Sequence, residues 1–101
     1  MCKKVSASFI LIHLLKKYNS CTVSDIMKKK DIIEDAIPTV FIDVSFNSLL
    51  SSFECYPEIF EFKEGTITRR KNSSLFFEEP SINYFNYNLD RSITDKIIQL
   101  L

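Results

Sequence analysis

The stretch Glu58-Ile-Phe-Glu-Phe-Lys-Glu-Gly-Thr-Ile-Thr-Arg-Arg70 holds the chain's single glycine, with apolar and polar residues alternating on either side of it. A two-residue hairpin turn demands positive φ, which glycine adopts without steric cost. With Glu64-Gly65 as the loop, Lys63 faces Thr66, Phe62 faces Ile67, Glu61 faces Thr68 and Phe60 faces Arg69. That register gathers Phe60, Phe62 and Ile67 on one face and Glu61, Lys63, Thr66 and Thr68 on the other. A slip of one residue mixes the two sets, so the pattern selects the register. Residues 59–69 read as a hairpin with one buried face.

Upstream of the hairpin the period changes from two to that of a helix. Phe46, Leu49, Leu50 and Phe53 fall at i, i+3, i+4 and i+7, with Ser45 as N-cap and Pro57 as the stop. They are expected to be buried together with Leu14, Leu15, Phe60, Phe62 and Ile67. Residues 6–18 read as a first helix that is apolar almost all round, since Phe9, Ile10 and Ile12 lie off the face formed by Ala7, Leu11, Leu14, Leu15 and Tyr18. Such a helix is covered on two sides. Thr22-Val-Ser-Asp25 has capping-box spacing and opens a short second helix on Val23, Ile26 and Met27. Lys28-Lys29-Lys30 then read as its C-terminal end, where cations oppose the macrodipole favourably. Ile32, Ile33, Ala36 and Ile37 suit a further short helix ended by Pro38, and Thr39–Ile42 an extended stretch pairing with the hairpin.

Helix, short helix, helix and hairpin in that order predict an α+β winged helix-turn-helix, three helices plus a two-stranded β wing. Residues 1–101 form one domain, with a core over 7–70 and a C-terminal extension over 71–101 packing on it. Ser92-Ile-Thr-Asp95 offers a capping box before a short amphipathic helix, Lys96–Leu101. This tail is the natural cover for the second side of the first helix.

Composition narrows the function. Thirteen basic residues balance thirteen acidic ones, and an autonomous nucleic-acid binder is usually basic. The three cysteines, Cys2, Cys21 and Cys55, form no CxxC pair, which suits a reducing compartment and argues against zinc. Residues 5–15 have the length of a signal h-region but no small-x-small cleavage site follows, and they are too short to span a bilayer. The expectation is an intracellular protein, cytoplasmic or nuclear, without a membrane segment.

At Val44-Ser-Phe-Asn-Ser-Leu-Leu-Ser-Ser-Phe-Glu-Cys-Tyr-Pro-Glu-Ile-Phe60 the sequence resembles the LOTUS (OST-HTH) winged-helix family, with Phe-x-Ser-Leu followed by Pro-acidic-aliphatic-Phe running into the wing. Lys16-Lys17-Tyr18 and Val23-Ser24-Asp25-Ile26 are similar to that family's opening, so the resemblance covers roughly residues 7–69. It implies a non-enzymatic module of RNA regulation, binding RNA or a DEAD-box helicase. Ser92–Leu101 would be the counterpart of the extra C-terminal helix of helicase-binding members.

The residues themselves offer little catalysis. His13 is the single histidine and lies in an apolar helix, and one glycine cannot build a phosphate loop. No catalytic residue, metal or cofactor is expected. Candidate nucleic-acid contacts are Lys28, Lys29, Lys30, Asn47, Arg69, Arg70 and Lys71, although Glu58, Glu61 and Glu64 on the wing would repel phosphates. The lysine run reads first as a dipole-matched, solvated helix end, and second as a phosphate or partner contact. Candidate partner contacts are Phe76, Phe77, Tyr84, Phe85, Tyr87, Ile97 and Ile98, where aromatics either fill a core or anchor an interface. The neutral charge and apolar first helix lean toward a protein partner or a homodimer. The reading is a non-catalytic winged-helix interaction module in an RNA-related or nucleoprotein assembly, binding protein, RNA or both. The alternative is a winged-helix DNA-binding protein acting in transcription or replication.

Overall fold

A computed structural model describes residues 3–71, 73, 77–78 and 90–101. Among them lie five short strands and four helices in an α+β arrangement. The order is β1 (Lys3–Ser6), α1 (Ala7–Tyr18), β2 (Ser20–Thr22), α2 (Val23–Ala36), β3 (Val40–Asp43), α3 (Phe46–Cys55), β4 (Phe60–Lys63), β5 (Thr66–Arg69) and α4 (Arg91–Leu100).

The hairpin β4–β5 has the register its alternation selects, from Phe60 opposite Arg69 to Lys63 opposite Thr66. Gly65 takes φ +78°, and Glu64 takes φ +54°. Both central residues being positive defines a type I′ turn, whose twist matches that of the strands. On the outer side of β5, β2 adds a third antiparallel strand, with Cys21 opposite Ile67. The turn is held to the start of α2 as well, since Val23 N–H donates to the Gly65 carbonyl at 3.4 Å.

Five strands therefore exceed the two-stranded wing and the one extended stretch expected. Residues 40–43 do not pair with the hairpin but lie parallel to β1, Val5 beside Ile42. Val5, Val40 and Ile42 are buried there, so burial selects this pairing.

Local chemistry fixes the helix starts. Ser6 caps α1 by accepting from Phe9 N–H, and Asn19 ends it at positive φ, a conformation asparagine tolerates at a helix end. The box at Thr22 and Asp25 closes both ways, Thr22 N–H to Asp25 Oδ2 at 3.0 Å and Asp25 N–H to Thr22 Oγ1 at 3.1 Å. These bonds, the Thr22 N–H foremost, hold the Asp25 carboxyl below its ordinary pKa.

Helix α2 does not stop at the lysines. It runs on to Ala36, so Lys28–Lys30 stand mid-helix and the last turn carries no basic residue. Nothing in Asp31–Ala36 breaks a helix, and Pro38 is the first residue that does. Helix α4 likewise starts earlier than expected, at Arg91 behind Asp90, and Ser92 is not its cap.

The core is continuous. Helix α1 buries Ala7 and every residue from Phe9 to Leu15, including His13, whose ring lies 4.6 Å from that of Phe9. Ile26 and Ile33 of α2, Phe60 and Ile67 of the sheet, Phe77, and Ile97 and Leu101 at the C-terminal end join it. Helix α4 packs on α2 and is tied to the last turn of α1, where Lys17 Nζ and Tyr18 Oη donate to the Leu101 carbonyl at 3.1 and 3.3 Å.

Candidate interaction surface

Helix α3 carries two apolar rows, and only one faces the core. Ser45 caps it in a box with Ser48, which fixes its first turn. From there Leu49 and Ser52 turn inward with Phe53 and Tyr56 beside them. Ser52 meets Ser8 of α1 with hydroxyl oxygens 2.8 Å apart, and the small side chains let the two helices approach closely.

That rotation corrects the expected phase. Phe46 is 74% exposed and Leu50 37% exposed, so they do not share the burial of Leu49. The sequence carried the signal: Leu49, Ser52, Phe53 and Tyr56 also fall at i, i+3, i+4 and i+7, and four apolar positions plus Tyr56 exceed one stripe.

Phe46, Leu49, Leu50 and Phe53 of α3 line an open groove of about 210 Å³ together with Val44 and Ser45 just before that helix. Val23 and Met27 of α2 and Phe62 of β4 complete the lining. Phe62, expected on the buried face of the hairpin, is instead 44% exposed, because it faces the groove, where its ring stacks on Phe53 with centroids 5.1 Å apart. Among the described residues, no charged side chain lines the groove. Of the eight exposed large apolar side chains among the described residues, four (Met27, Phe46, Leu50 and Phe62) converge on it. That concentration, rather than singly scattered apolar residues, makes the groove the candidate interaction surface.

The basic candidates are largely engaged elsewhere. Lys30 Nζ donates to Glu34 Oε2 at 2.7 Å and to the Ile42 carbonyl at 2.8 Å, and lies 4.7 Å from the Phe41 ring. Glu34 Oε2 also accepts from Ile42 N–H at 2.8 Å, so the pair clamps both polar groups of one residue on β3. The Lys30 ammonium, then the Ile42 N–H, holds the Glu34 carboxyl below its usual pKa. Lys29 Nζ donates to the Leu100 carbonyl. Arg69 stacks over Phe77 at 4.3 Å. Arg70 Nε donates to the Pro57 carbonyl at 2.6 Å and faces Glu61 at 3.6 Å. Lys28, Asn47 and Lys71 remain exposed.

The aromatic tail divides similarly. Phe77 and Ile97 are core, and Ile98 is 38% exposed. Phe76, Tyr84, Phe85 and Tyr87 lie outside the described residues. A second, larger cleft of about 550 Å³ lies between α1, β2 and α2, with Leu14, Cys21 and Ile32 apolar and Asp25, Lys28 and Lys29 charged. Burial, then Asp25, pushes the Cys21 thiol up to about 12, which leaves it a poor nucleophile. Among the described residues no three His, Cys, Asp or Glu side chains are grouped to hold a metal ion, and no helix is long and apolar enough to cross a membrane.

Comparison with protein-family models, curated proteins and solved structures finds no match to this chain.

Proposed function

We propose that the chain is a non-catalytic winged-helix module that docks a protein through the outer row of α3. Two helices meeting before a third, followed directly by the hairpin, support the winged-helix reading, with β2 as the strand that completes the small sheet. In that architecture the third helix and the wing are the usual reading elements. Here the position carries Phe46 at 74% exposure beside an uncharged groove, and that is the observation on which the reading rests. An aromatic in water beside an apolar hollow is what an interface anchor looks like before its partner arrives. The resemblance of residues 44–60 to LOTUS domains points the same way and suggests an RNA-related assembly, with a helicase among the candidate partners.

Nucleic-acid binding is the competing reading, carried by Lys28 and Lys71, which are exposed. Acidic residues balance the basic ones over the chain, so affinity for RNA or duplex DNA should be about 10⁻⁴–10⁻⁶ M at physiological salt and fall as salt rises. Titration of labelled RNA and duplex DNA at two salt concentrations tests this, with Lys28→Glu/Lys71→Glu, both exposed, alongside. Tight binding that persists at high salt would overturn the protein-docking reading.

A further inference from the structure

We infer that the cleft between α1, β2 and α2 binds a small amphipathic anion, a molecule with one negatively charged head and an apolar body. The cleft uses a different row of α2 from the groove beside α3, and the inference stands apart from the protein-docking reading.

Size sets the class of ligand. The cleft holds about 550 Å³, inside the roughly 300–1,000 Å³ range of sites that enclose small molecules. Much of its lining is apolar. Leu14 of α1 and Cys21 of β2 are buried there, and a protonated cysteine behaves as a small hydrophobe. Tyr18 and Ile32 also line it, and they are 51% and 47% exposed. An apolar body lying against these two removes from water the apolar surface they now present.

Charge sets the sign of the head group. Asp25, Lys28, Lys29 and Ile32 fall at i, i+3, i+4 and i+7, so one row of α2 lines the cleft. Asp25 is committed to the helix start, where its Oδ2 accepts from the Thr22 N–H. Its single charge offsets one of the two ammonium groups and leaves the other. Lys29 donates to the Leu100 carbonyl, a neutral acceptor that does not cancel its charge. The Lys28 ammonium is exposed and makes no hydrogen bond or ion pair among the described residues. It carries three donors, which suit a carboxylate or phosphate oxygen. Ile32 lies one turn further on, about 6 Å along the helix axis. A head group held by Lys28 therefore sets its apolar body against Ile32, Tyr18 and Leu14. A neutral apolar molecule gains nothing from the lysines, and a cation meets net positive charge.

Octanoate is the probe, followed by the amide and methyl resonances of the isotope-labelled chain. It should give saturable shifts at Leu14, Lys28 and Ile32, with one molecule bound per chain. Octanol, which keeps the body and loses the charge, should bind at least about 5-fold more weakly, as should Lys28→Glu toward octanoate. Acetate, the head without the body, should give no saturable shift. Octyl phosphate should bind as well, and whichever of the two anions is tighter names the head group. Ile32→Ser should weaken octanoate while circular dichroism remains that of the folded chain. Met27→Ser, on the row of α2 that lines the other groove, should leave octanoate binding unchanged. Absence of saturable binding by both anions would overturn the inference. So would octanol binding as tightly as octanoate, affinity indifferent to both Lys28→Glu and Ile32→Ser, or a loss with Met27→Ser as large as that with Ile32→Ser.

Discussion

Replacing Glu34 with alanine removes one oxygen that satisfies two donors. Its Oε2 accepts from the Ile42 N–H and the Lys30 ammonium, and Ile42 is fully buried. Leaving a buried N–H unpaired costs about 1–3 kcal/mol. The ion pair is partly exposed, with side-chain accessibilities of 16% and 28%, so its loss adds only about 0.5–1 kcal/mol. Glu34→Ala should therefore destabilise by roughly 2–3 kcal/mol, which is large for a helix position outside the apolar core. Glu34→Gln keeps an acceptor for the Ile42 N–H and loses the charge, so its cost should be about 1 kcal/mol. The pH dependence has a definite sign. The folded-state pKa of Glu34 lies below its ordinary value, so the contribution is present above the unfolded-state pKa of about 4.3 and fades as pH falls through the folded one. The gap between wild type and Glu34→Gln should close in that acid range. Urea unfolding at pH 7 and at a series of acid values measures it. An unchanged midpoint for Glu34→Ala at pH 7 would refute the clamp between α2 and β3.

Three further predictions follow from single contacts. Gly65→Val should cost about 1–2 kcal/mol in thermal or urea unfolding through backbone strain alone, because no atom lies within 4 Å of an added Cβ at φ +78°; Glu64→Asn, which suits the positive φ beside it, should be neutral or stabilising. Among the described residues the buried Thr94 hydroxyl has no hydrogen-bond partner, so Thr94→Val should hold or raise the melting temperature, and a marked fall would mean that an acceptor is present. Alkylation mapped by mass spectrometry should modify exposed Cys55 quickly at mildly alkaline pH and leave buried Cys21 intact until the chain unfolds.

The hairpin was legible because its two constraints are local: strict alternation and one glycine leave a single register. The starts of α2 and α3 were legible for the same reason, since Thr22 with Asp25 and Ser45 with Ser48 close within three residues. What failed depended on distance. The partner of β3 is β1, some 37 residues away in the register Lys3 to Val40, and no alternation within either strand names the other. The lysine run has the local pattern of a helix end, but its chemistry is tertiary: Lys29 reaches α4 and Lys30 reaches β3. For the candidate surface, sequence reasoning found the α3 residues and assigned them to the core. Four apolar positions cannot reveal which of two rows turns inward. Ser8 and Ser52 decide that, through a contact across 44 residues.

The account rests most heavily on that rotation of α3, and three alanine substitutions measured side by side test it. Leu49 is 5% exposed, so Leu49→Ala should cost about 2–5 kcal/mol in urea unfolding, as for a packed leucine. Leu50→Ala should cost about 1 kcal/mol and Phe46→Ala less than about 1 kcal/mol, because both side chains already meet water. The predicted order is Leu49 well above Leu50, and Leu50 at or above Phe46. If Phe46→Ala or Leu50→Ala destabilises as much as Leu49→Ala, the outer row belongs to the core and there is no groove for a partner to enter.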